Sequence, residues 1–347
     1  MKVAVFSTKY YEREYLNKAN ASAGHQLTYF NEPLNNETAV WIKGFGAVCI
    51  MLSDKLDDVL IKKLSELNMP LICLRSAGFD SVDINAAAKY RIKVLRVPAY
   101  SPQAIAEHAA ALILALNRKI CQAHNRVREN NFTLNNLMGF NLFGKTVGIV
   151  GTGKIGRAFC DIMLGFGCKV IAYDIKESMN IKSKGILYKT FDELLKSSDI
   201  ISIHCPLTPA THHLFNSIAF GKMKHGAMLI NTSRGAVIKT AQAVAALKSA
   251  QLGYLGIDVY EGEEHLFFKD LSGTIIQDDL IERLMSFNNV LITPHQAFFT
   301  TEAVEQIAQI TIKNFTDFET KMPLENEVET ININPVLPTN TPIHESI

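Results

Sequence analysis

Short apolar runs alternate with longer segments of mixed polarity along most of the chain. In the first hundred residues, five such runs predict β-strands at residues 3–7, 27–30, 47–51, 71–75 and 94–97. Between two of these runs, apolar side chains at positions 59, 60, 64 and 67 follow the spacing of an amphipathic helix. Alternating strands and helices predict crossover units that build a parallel sheet.

A second alternating series begins after residue 145. Its strands are predicted at residues 146–150, 170–174, 200–204, 228–232, 255–259 and 290–293, with a weaker one at 186–188. Ser101 and Pro102 predict the N-cap and first turn of a helix that extends to residue 128 and links the two series. The second sheet is complete by residue 293, so we expect a last helix at 301–318 to return to the first domain.

The predicted fold class is α/β, with two Rossmann-like or flavodoxin-like domains of parallel strands and a cleft between them. We predict a discontinuous first domain at residues 1–100 and 297–333, and a second domain at 101–296. The remaining residues, 334–347, contain three prolines among polar residues and predict an extended or disordered tail.

Composition and charge exclude several classes of function. With 35 basic and 34 acidic residues, the chain has no global charge that would drive nucleic-acid binding. Its N-terminal apolar run is too short for an export signal, and the apolar stretch at 104–116 is too short to span a membrane. None of the six cysteines forms a Cys-x-x-Cys pair, so we expect no metal site. These features predict a cytoplasmic protein without a membrane or nucleic-acid partner.

The most specific local motif is Gly-x-Gly-x-x-Gly, formed by Gly151, Gly153 and Gly156 directly after a predicted strand. In a dinucleotide site, the first glycine permits a tight turn, the second admits the pyrophosphate and the third allows helix and strand to pack closely. Asp174 ends the next strong strand, where a carboxylate accepts hydrogen bonds from the adenosine ribose and repels a 2′-phosphate. The motif therefore predicts NAD as cofactor, with NADP a weaker alternative because Lys176 lies nearby.

Three polar residues follow the ends of later strands, where open α/β sheets bind ligands: Arg234, Glu263 and His295. An arginine can bind a carboxylate and polarise a ketone, and a histidine can give a proton to the developing alkoxide. A glutamate beside that histidine favours the protonated imidazole. Each residue alone is more typical of a surface or loop position, but their shared placement favours reduction of a 2-oxo acid by hydride transfer.

Four stretches of the sequence resemble the D-isomer-specific 2-hydroxyacid dehydrogenases: 151–156 with Asp174, 194–208, 223–235, and 256–263 with 293–298. Residues 276–279 and 295–298 are similar to the D-lactate branch. The resemblance implies reversible, NAD-dependent reduction of pyruvate to D-lactate by Arg234, Glu263 and His295. It also implies a split substrate domain and assembly as a homodimer or homotetramer.

Further site residues are implied by the resemblance alone. The additional cofactor contacts would be Lys154, Ile155, His204, Cys205, Pro206, Thr232, Ser233 and Asp258. The substrate contacts would be Arg75, Ser76, Ala77, Gly78, Tyr100 and Phe298. Backbone N–H groups of 75–78 would bind the substrate carboxylate, and Phe298 would pack beside its methyl group. The sequence departs from the family pattern at Lys239, where the family usually has an acidic residue.

Two alternatives stay open. One is the same reaction on another 2-oxo acid, such as hydroxypyruvate or phenylpyruvate, since a methylene group alters discrimination by only about 1–3 kcal/mol. The other is a non-catalytic NAD-sensing protein, such as a transcriptional corepressor, because fold does not determine function. Formate dehydrogenases of this fold lack the carboxylate partner of the histidine, so Glu263 argues against them. The short tail argues against the regulatory domain of many phosphoglycerate dehydrogenases.

Overall fold

The computed structural model describes residues 1–328, and the predicted tail at 334–347 lies outside them. The chain divides into two compact units. Among the described residues, unit 1 contains Met1–Tyr100 and residues 305–328, and unit 2 contains Ser101–Val304. We predicted the return to the first domain at residue 297, whereas this division places it at Glu305, inside the last helix.

Unit 1 is built on a parallel sheet whose strands match the predicted ones. The strands are β1 (Lys2–Val5), β2 (Gln26–Tyr29), β3 (Ala47–Ile50), β4 (Leu71–Leu74) and β5 (Lys93–Leu95). They pair in the order β2-β1-β3-β4-β5. The helices are α1 (Tyr10–Asn20), α2 (Asp58–Glu66) and α3 (Ile84–Lys89). β3 and β4 are buried along their whole length, as expected of parallel strands covered on both faces.

Unit 2 carries the larger sheet. Its elements are α4 (Pro102–Arg118), α5 (Ile120–Arg128), β6 (Thr146–Val150), α6 (Lys154–Gly165), β7 (Lys169–Tyr173), α7 (Met179–Lys182), β8 (Leu187–Tyr188), α8 (Phe191–Ser197), β9 (Ile200–Ile203), α9 (Ser217–Lys222), β10 (Ala227–Asn231), α10 (Thr240–Lys248), β11 (Leu252–Ile257), α11 (Asp279–Met285) and β12 (Val290–Ile292). The strands pair in parallel in the order β12-β11-β10-β9-β6-β7-β8. The chain order reverses between β6 and β9, which makes that point of the sheet the expected ligand site. The two parallel sheets confirm the predicted α/β class.

The single helix predicted at 102–128 is wrong, because the chain forms two helices there. Ser101 caps α4 as predicted, with its hydroxyl accepting the Ala104 N–H at 3.4 Å. Lys119 then adopts a left-handed conformation with φ +51° and donates its N–H to the last carbonyls of α4. A left-handed residue at this position ends a helix and redirects the chain, so α5 starts in a new direction and contains no buried residue.

The last helix, α12 (Thr301–Glu319), agrees with the prediction at 301–318. In unit 1, Ala308, Ile312 and Phe315 pack in one buried cluster with Val3 and Val5 of β1. This packing explains why the C-terminal part of α12 belongs to unit 1. Like every other helix in residues 1–328, α12 is not long and apolar enough to cross a membrane.

Candidate active site

Glu263 and His295 form a hydrogen-bonded pair in unit 2. Glu263 follows β11 and begins a short 3-10 turn, and His295 lies in the loop after β12. The Nδ1 atom of His295 lies 2.9 Å from Glu263 Oε1. Glu263 Oε2 accepts the Tyr260 N–H at 2.9 Å, so both carboxylate oxygens are held. Since Nδ1 contacts the carboxylate, Nε2 is the ring nitrogen left for proton transfer.

The loop that carries His295 is held by a buried carboxylate. His295 has φ +55°, a left-handed conformation that is uncommon for a residue other than glycine. Asp258 is fully buried, and its Oδ1 accepts the Thr293 hydroxyl at 2.6 Å and the Gln296 N–H at 2.8 Å. Its Oδ2 accepts the Ala297 N–H at 2.8 Å. Asp258 therefore binds residues on both sides of His295 and stabilises the unfavourable backbone conformation.

A second histidine, His108 on α4, supports the same loop and was missed by the sequence analysis. Its Nε2 lies 3.0 Å from the Thr293 hydroxyl and 3.4 Å from Asp258 Oδ1. The available signal was a histidine within a largely apolar helix, which is also typical of an ordinary core histidine. For Asp258 itself, we predicted a cofactor contact, and the structure adds an anchoring role within the chain.

Arg234 follows β10, the strand that pairs with β11. The fully buried Asn231 shapes its turn, because the Asn231 amide donates to the Arg234 carbonyl at 2.9 Å and accepts the Ser233 N–H at 3.0 Å. The half-buried Arg234 guanidinium donates to the Ser233 carbonyl at 2.8 Å. Parallel strands end at one edge of a sheet, so Arg234 and Glu263 follow neighbouring strand ends at that edge.

The glycines of the predicted dinucleotide motif differ in what surrounds them. Gly151 has φ +97°, and a Cβ there would lie 2.6 Å from the Cys205 backbone nitrogen. A Cβ on Gly156 would collide with the Gly151 carbonyl. In contrast, a Cβ on Gly153 would meet nothing within 4 Å. The open side at Gly153, at the N-terminus of α6, fits a pyrophosphate that approaches the backbone there.

Asp174 lies directly after β7, beside the glycine loop. Its Oδ2 accepts the Thr152 N–H at 2.6 Å and the Thr152 hydroxyl at 2.9 Å, and its Oδ1 accepts the Lys176 N–H at 3.0 Å. The Tyr188 hydroxyl donates to the Thr152 hydroxyl at 2.8 Å. Thr152 and Tyr188 were not predicted, although Thr152 occupies a variable position inside the motif. These contacts hold the carboxylate that we predicted to meet the adenosine ribose in one position beside the glycine loop.

Two predicted cofactor residues carry buried polar atoms without a hydrogen-bond partner in the described part of the chain: His204 Nδ1 and Thr232 Oγ1. Burial lowers the pKa of His204 to about 3, so its imidazole is neutral, and its Nε2 lies 2.9 Å from the Ser202 hydroxyl. Unpartnered buried polar groups are costly. Polar groups of a bound dinucleotide would satisfy them, so the residues present fit the predicted cofactor.

The other predicted cofactor residues lie around the same edge. The Ser233 hydroxyl donates to the Cys205 carbonyl, which ties the loop after β9 to the turn after β10. Burial raises the pKa of the Cys205 thiol to about 11, so this cysteine is not a reactive thiolate. Lys154 and Ile155 begin α6, and Pro206 is exposed after Cys205.

The predicted substrate residues fall in both units. In unit 1, Arg75 is buried, and its guanidinium Nε lies 2.9 Å from Glu12 Oε1 while its N–H donates to the Ile50 carbonyl at 3.1 Å. Both the guanidinium and the backbone N–H of Arg75 are therefore occupied by partners inside unit 1. Of the four residues predicted to bind the substrate carboxylate, only 76–78, in the half-buried segment after β4, remain candidates. The unit also contains the half-buried Tyr100.

In unit 2, Phe298 lies in the segment between His295 and α12. Its ring packs edge-on against Phe299, with the ring centroids 6.0 Å apart. Across residues 1–328, no group of three or more His, Cys, Asp or Glu side chains is arranged to hold a metal ion. The predicted groups of this candidate site are the Arg234 guanidinium, the Glu263–His295 pair and the loops suited to a dinucleotide.

Comparisons with known proteins identify the family of this chain. Residues 110–297 match the model of the D-isomer-specific 2-hydroxyacid dehydrogenase NAD-binding domain. The chain is 45% identical to D-lactate dehydrogenase of Escherichia coli K12 over 94% of this chain and 100% of that protein. The structure of the pyruvate reductase of Chlamydomonas reinhardtii superposes with a TM-score of 0.88 at 42% identity, covering 94% of this chain and 98% of the other. The structure of D-lactate dehydrogenase from Aquifex aeolicus with NAD and lactic acid superposes with a TM-score of 0.83 at 33% identity, over 92% and 96% of the two chains. The chain therefore belongs to the D-isomer-specific 2-hydroxyacid dehydrogenases and is an NAD-dependent oxidoreductase.

Proposed function

We propose that this protein catalyses the reversible reduction of pyruvate to D-lactate. The observation that carries the proposal is the contact of His295 Nδ1 with Glu263 Oε1 at 2.9 Å, at the same sheet edge as the glycine loop. A carboxylate-paired histidine suits transfer of one proton at neutral pH. The relatives whose names specify D-lactate dehydrogenase or pyruvate reductase support pyruvate as the substrate.

In this reaction, His295 handles the proton. Its Nε2 donates a proton to the ketone oxygen during reduction and takes it back during oxidation. Glu263 keeps the imidazole oriented through Nδ1 and stabilises its positive charge before the proton leaves. When bound, NADH supplies the hydride that attacks the carbonyl carbon.

The remaining predicted residues bind the substrate. The Arg234 guanidinium offers a planar fork of donors that pairs with the carboxylate and polarises the ketone. Backbone N–H groups in 76–78 and the Tyr100 hydroxyl provide further polar contacts to the carboxylate, and the Phe298 ring packs against the methyl group. Together these contacts would favour a small 2-oxo acid over a bulky one.

The direct test follows the loss of NADH absorbance with pyruvate, hydroxypyruvate, 2-oxobutyrate and phenylpyruvate, followed by the reverse reaction with each lactate enantiomer. We expect the highest kcat/KM with pyruvate, and oxidation of D-lactate only. Preference for a larger 2-oxo acid would support the proposed hydride transfer but show that pyruvate is not the main substrate. Binding of NADH without turnover on any of the four acids would favour the NAD-sensing alternative.

We also propose that the chain forms homo-oligomers, starting with a homodimer. Large apolar side chains in the segment after α5 are each at least 71% exposed: Phe132, Leu134, Met138 and Phe143. Such a concentration of exposed apolar surface is typical of an interface.

Light scattering should give the mass of a dimer or tetramer. In the variant that combines Leu134→Glu with Met138→Glu, we expect the mass of a monomer. Ile218→Glu, at an exposed position on α9, is the matched control, and a monomeric wild-type protein would refute the proposal.

The proposed compartment is the cytoplasm. All six cysteines are free in the structure, which fits a reducing environment. Fractionation of cells that express the untagged protein tests this, and recovery of the activity outside the cytoplasmic fraction would contradict it.

A further inference from the structure

The turn after Arg234 lies directly against the loop that leads to Glu263. Gly235 follows Arg234, and a Cβ built on it would fall on the Tyr260 carbonyl group and the Glu261 nitrogen. The two backbones are therefore closer than any side chain would permit. The close contact of these two backbones sets the distance between the segments that carry Arg234 and Glu263. Contacts of nearby side chains are needed to maintain that distance.

His213, in the loop before α9, contacts both of these segments. Its Nε2 lies 2.5 Å from Glu261 Oε1. Its backbone N–H donates to the Ala236 carbonyl at 2.8 Å, one residue beyond Gly235. His213 has φ +52°, an uncommon conformation that these contacts hold in place. One residue thus joins the Glu263 loop through its side chain and the Arg234 turn through its backbone.

Glu261 makes a second contact, with the start of α10. Its Oε2 accepts the Thr240 N–H at 3.1 Å, at the first turn of α10. Lys239 is the N-cap residue of α10 and makes no side-chain cap hydrogen bond. The side-chain acceptor at the start of α10 is therefore the carboxylate of Glu261, which lies 21 positions further along the chain. Partial burial opposes the charge of Glu261, but the Thr240 and His213 contacts lower its pKa.

We infer that His213 and Glu261 are positioning residues, which hold the Arg234 turn and the Glu263 loop at a fixed distance and orientation relative to each other. Arg234 binds the substrate, and Glu263 orients the histidine that transfers the proton. Their mutual placement therefore decides how the ketone oxygen meets His295. The inference rests on the proposed function, since it concerns the geometry of the same reaction.

The test compares His213→Ala, Glu261→Ala and their combination on pyruvate. Each single variant should lower kcat about tenfold. The kcat of the double variant should be no lower, because the effects of mutating two residues that contact each other are not additive. The primary isotope effect with deuterated NADH should rise as hydride transfer becomes slower, while the Kd for NADH stays within twofold. His213→Gln, which keeps a neutral hydrogen-bond donor, should recover part of the rate.

His212→Ala is the matched control. The His212 ring lies 3.8 Å from the His213 ring but makes no contact with Glu261 among the hydrogen bonds of residues 1–328. We expect this variant to keep kcat within twofold of wild type. If His212→Ala lowers kcat as much as His213→Ala, the effect is not specific to the His213–Glu261 contact and the inference is wrong.

A restored helix cap separates positioning from simple stability. Lys239→Asp should raise the melting temperature of Glu261→Ala, because an aspartate caps α10 in place of the lost carboxylate. The kcat of that variant should stay low, since the contact with His213 is still absent. Recovery of kcat together with the melting temperature would overturn the inference, as would single variants that keep kcat and the isotope effect of wild type. Failure of the proposed function is distinguishable, because wild type itself would then have no turnover.

Discussion

In the candidate active site, hydrogen bonds between side chains and backbone decide which ring nitrogen of His295 is left without a carboxylate partner. Glu263 uses one oxygen for the Tyr260 N–H and the other for His295 Nδ1. Because both oxygens are held, the imidazole cannot rotate without losing a charge-assisted contact. The proton-carrying nitrogen is therefore defined before any substrate binds.

The first prediction concerns His295 and pH. Reduction needs a protonated His295 and oxidation a neutral one, so pyruvate reduction should fall as pH rises while D-lactate oxidation rises. His295→Gln should lower kcat about a thousandfold in both directions and remove this opposed pH dependence. The measurement is kcat/KM against pH in each direction. A variant with near wild-type turnover would refute the assignment.

The second prediction separates charge from geometry at Arg234. Arg234→Lys keeps the positive charge but loses the planar fork of donors. We expect KM for pyruvate to rise and kcat to fall, each about tenfold or more, because the same side chain binds the carboxylate and polarises the ketone. Steady-state kinetics with pyruvate measure both values, and an unchanged kcat/KM would remove Arg234 from the site.

The third prediction concerns cofactor choice at Asp174. Asp174→Asn keeps an oxygen that accepts from Thr152 but removes the charge that repels a 2′-phosphate. The ratio of kcat/KM for NADH to that for NADPH should fall about tenfold or more. Both cofactors are measured with saturating pyruvate. If the ratio does not change, the carboxylate charge does not select the cofactor.

At the scale of elements, the glycine loop combines two different demands. Gly151 and Gly156 are required by packing within the chain, whereas the surroundings of Gly153 leave room for a side chain. The loop therefore contains two glycines that packing within the chain requires and one, Gly153, that this packing does not require and that we propose admits the pyrophosphate. The sequence motif does not show this difference, because it contains only the three glycines and not what surrounds each of them in the fold.

The fourth prediction uses this difference as a matched pair. Gly153→Ala should leave the melting temperature of the cofactor-free protein unchanged and weaken NADH binding, because the added methyl group occupies the phosphate approach. Gly156→Ala should lower the melting temperature, since its methyl group collides with the Gly151 carbonyl. Thermal unfolding and fluorescence titration with NADH measure the two effects. Equal losses of stability in both variants would contradict this division.

At the scale of the whole molecule, the last helix joins two units of the chain. α12 begins in unit 2, shortly after the loop of His295, and its later turns pack into the core of unit 1 with β1. Both ends of the described chain therefore belong to unit 1. Along the chain, a continuous helix therefore follows the His295 loop and ends in unit 1.

The sequence by itself determined the two series of strands, the glycine motif and the residue types of the catalytic set. These features depend on local periodicity and turn chemistry, which neighbouring residues specify. Its errors arose where a single backbone conformation decides the outcome, as at Lys119, whose left-handed φ divides a helix that the apolar pattern predicts as one. The short helix-forming segment of α1 was missed because its apolar periodicity is weak.

Only the tertiary structure decided which polar residues face a ligand and which stabilise the chain. Arg75 pairs with Glu12, 63 positions away, and Asp258 holds Thr293, 35 positions away. Glu261 meets His213 across 48 positions and caps a helix that its own segment does not contain. Such partners are brought together by strand order and sheet edges, so no local pattern predicts them. The physical reason is that a charged side chain is assigned to the interior or to a ligand by what surrounds it after folding.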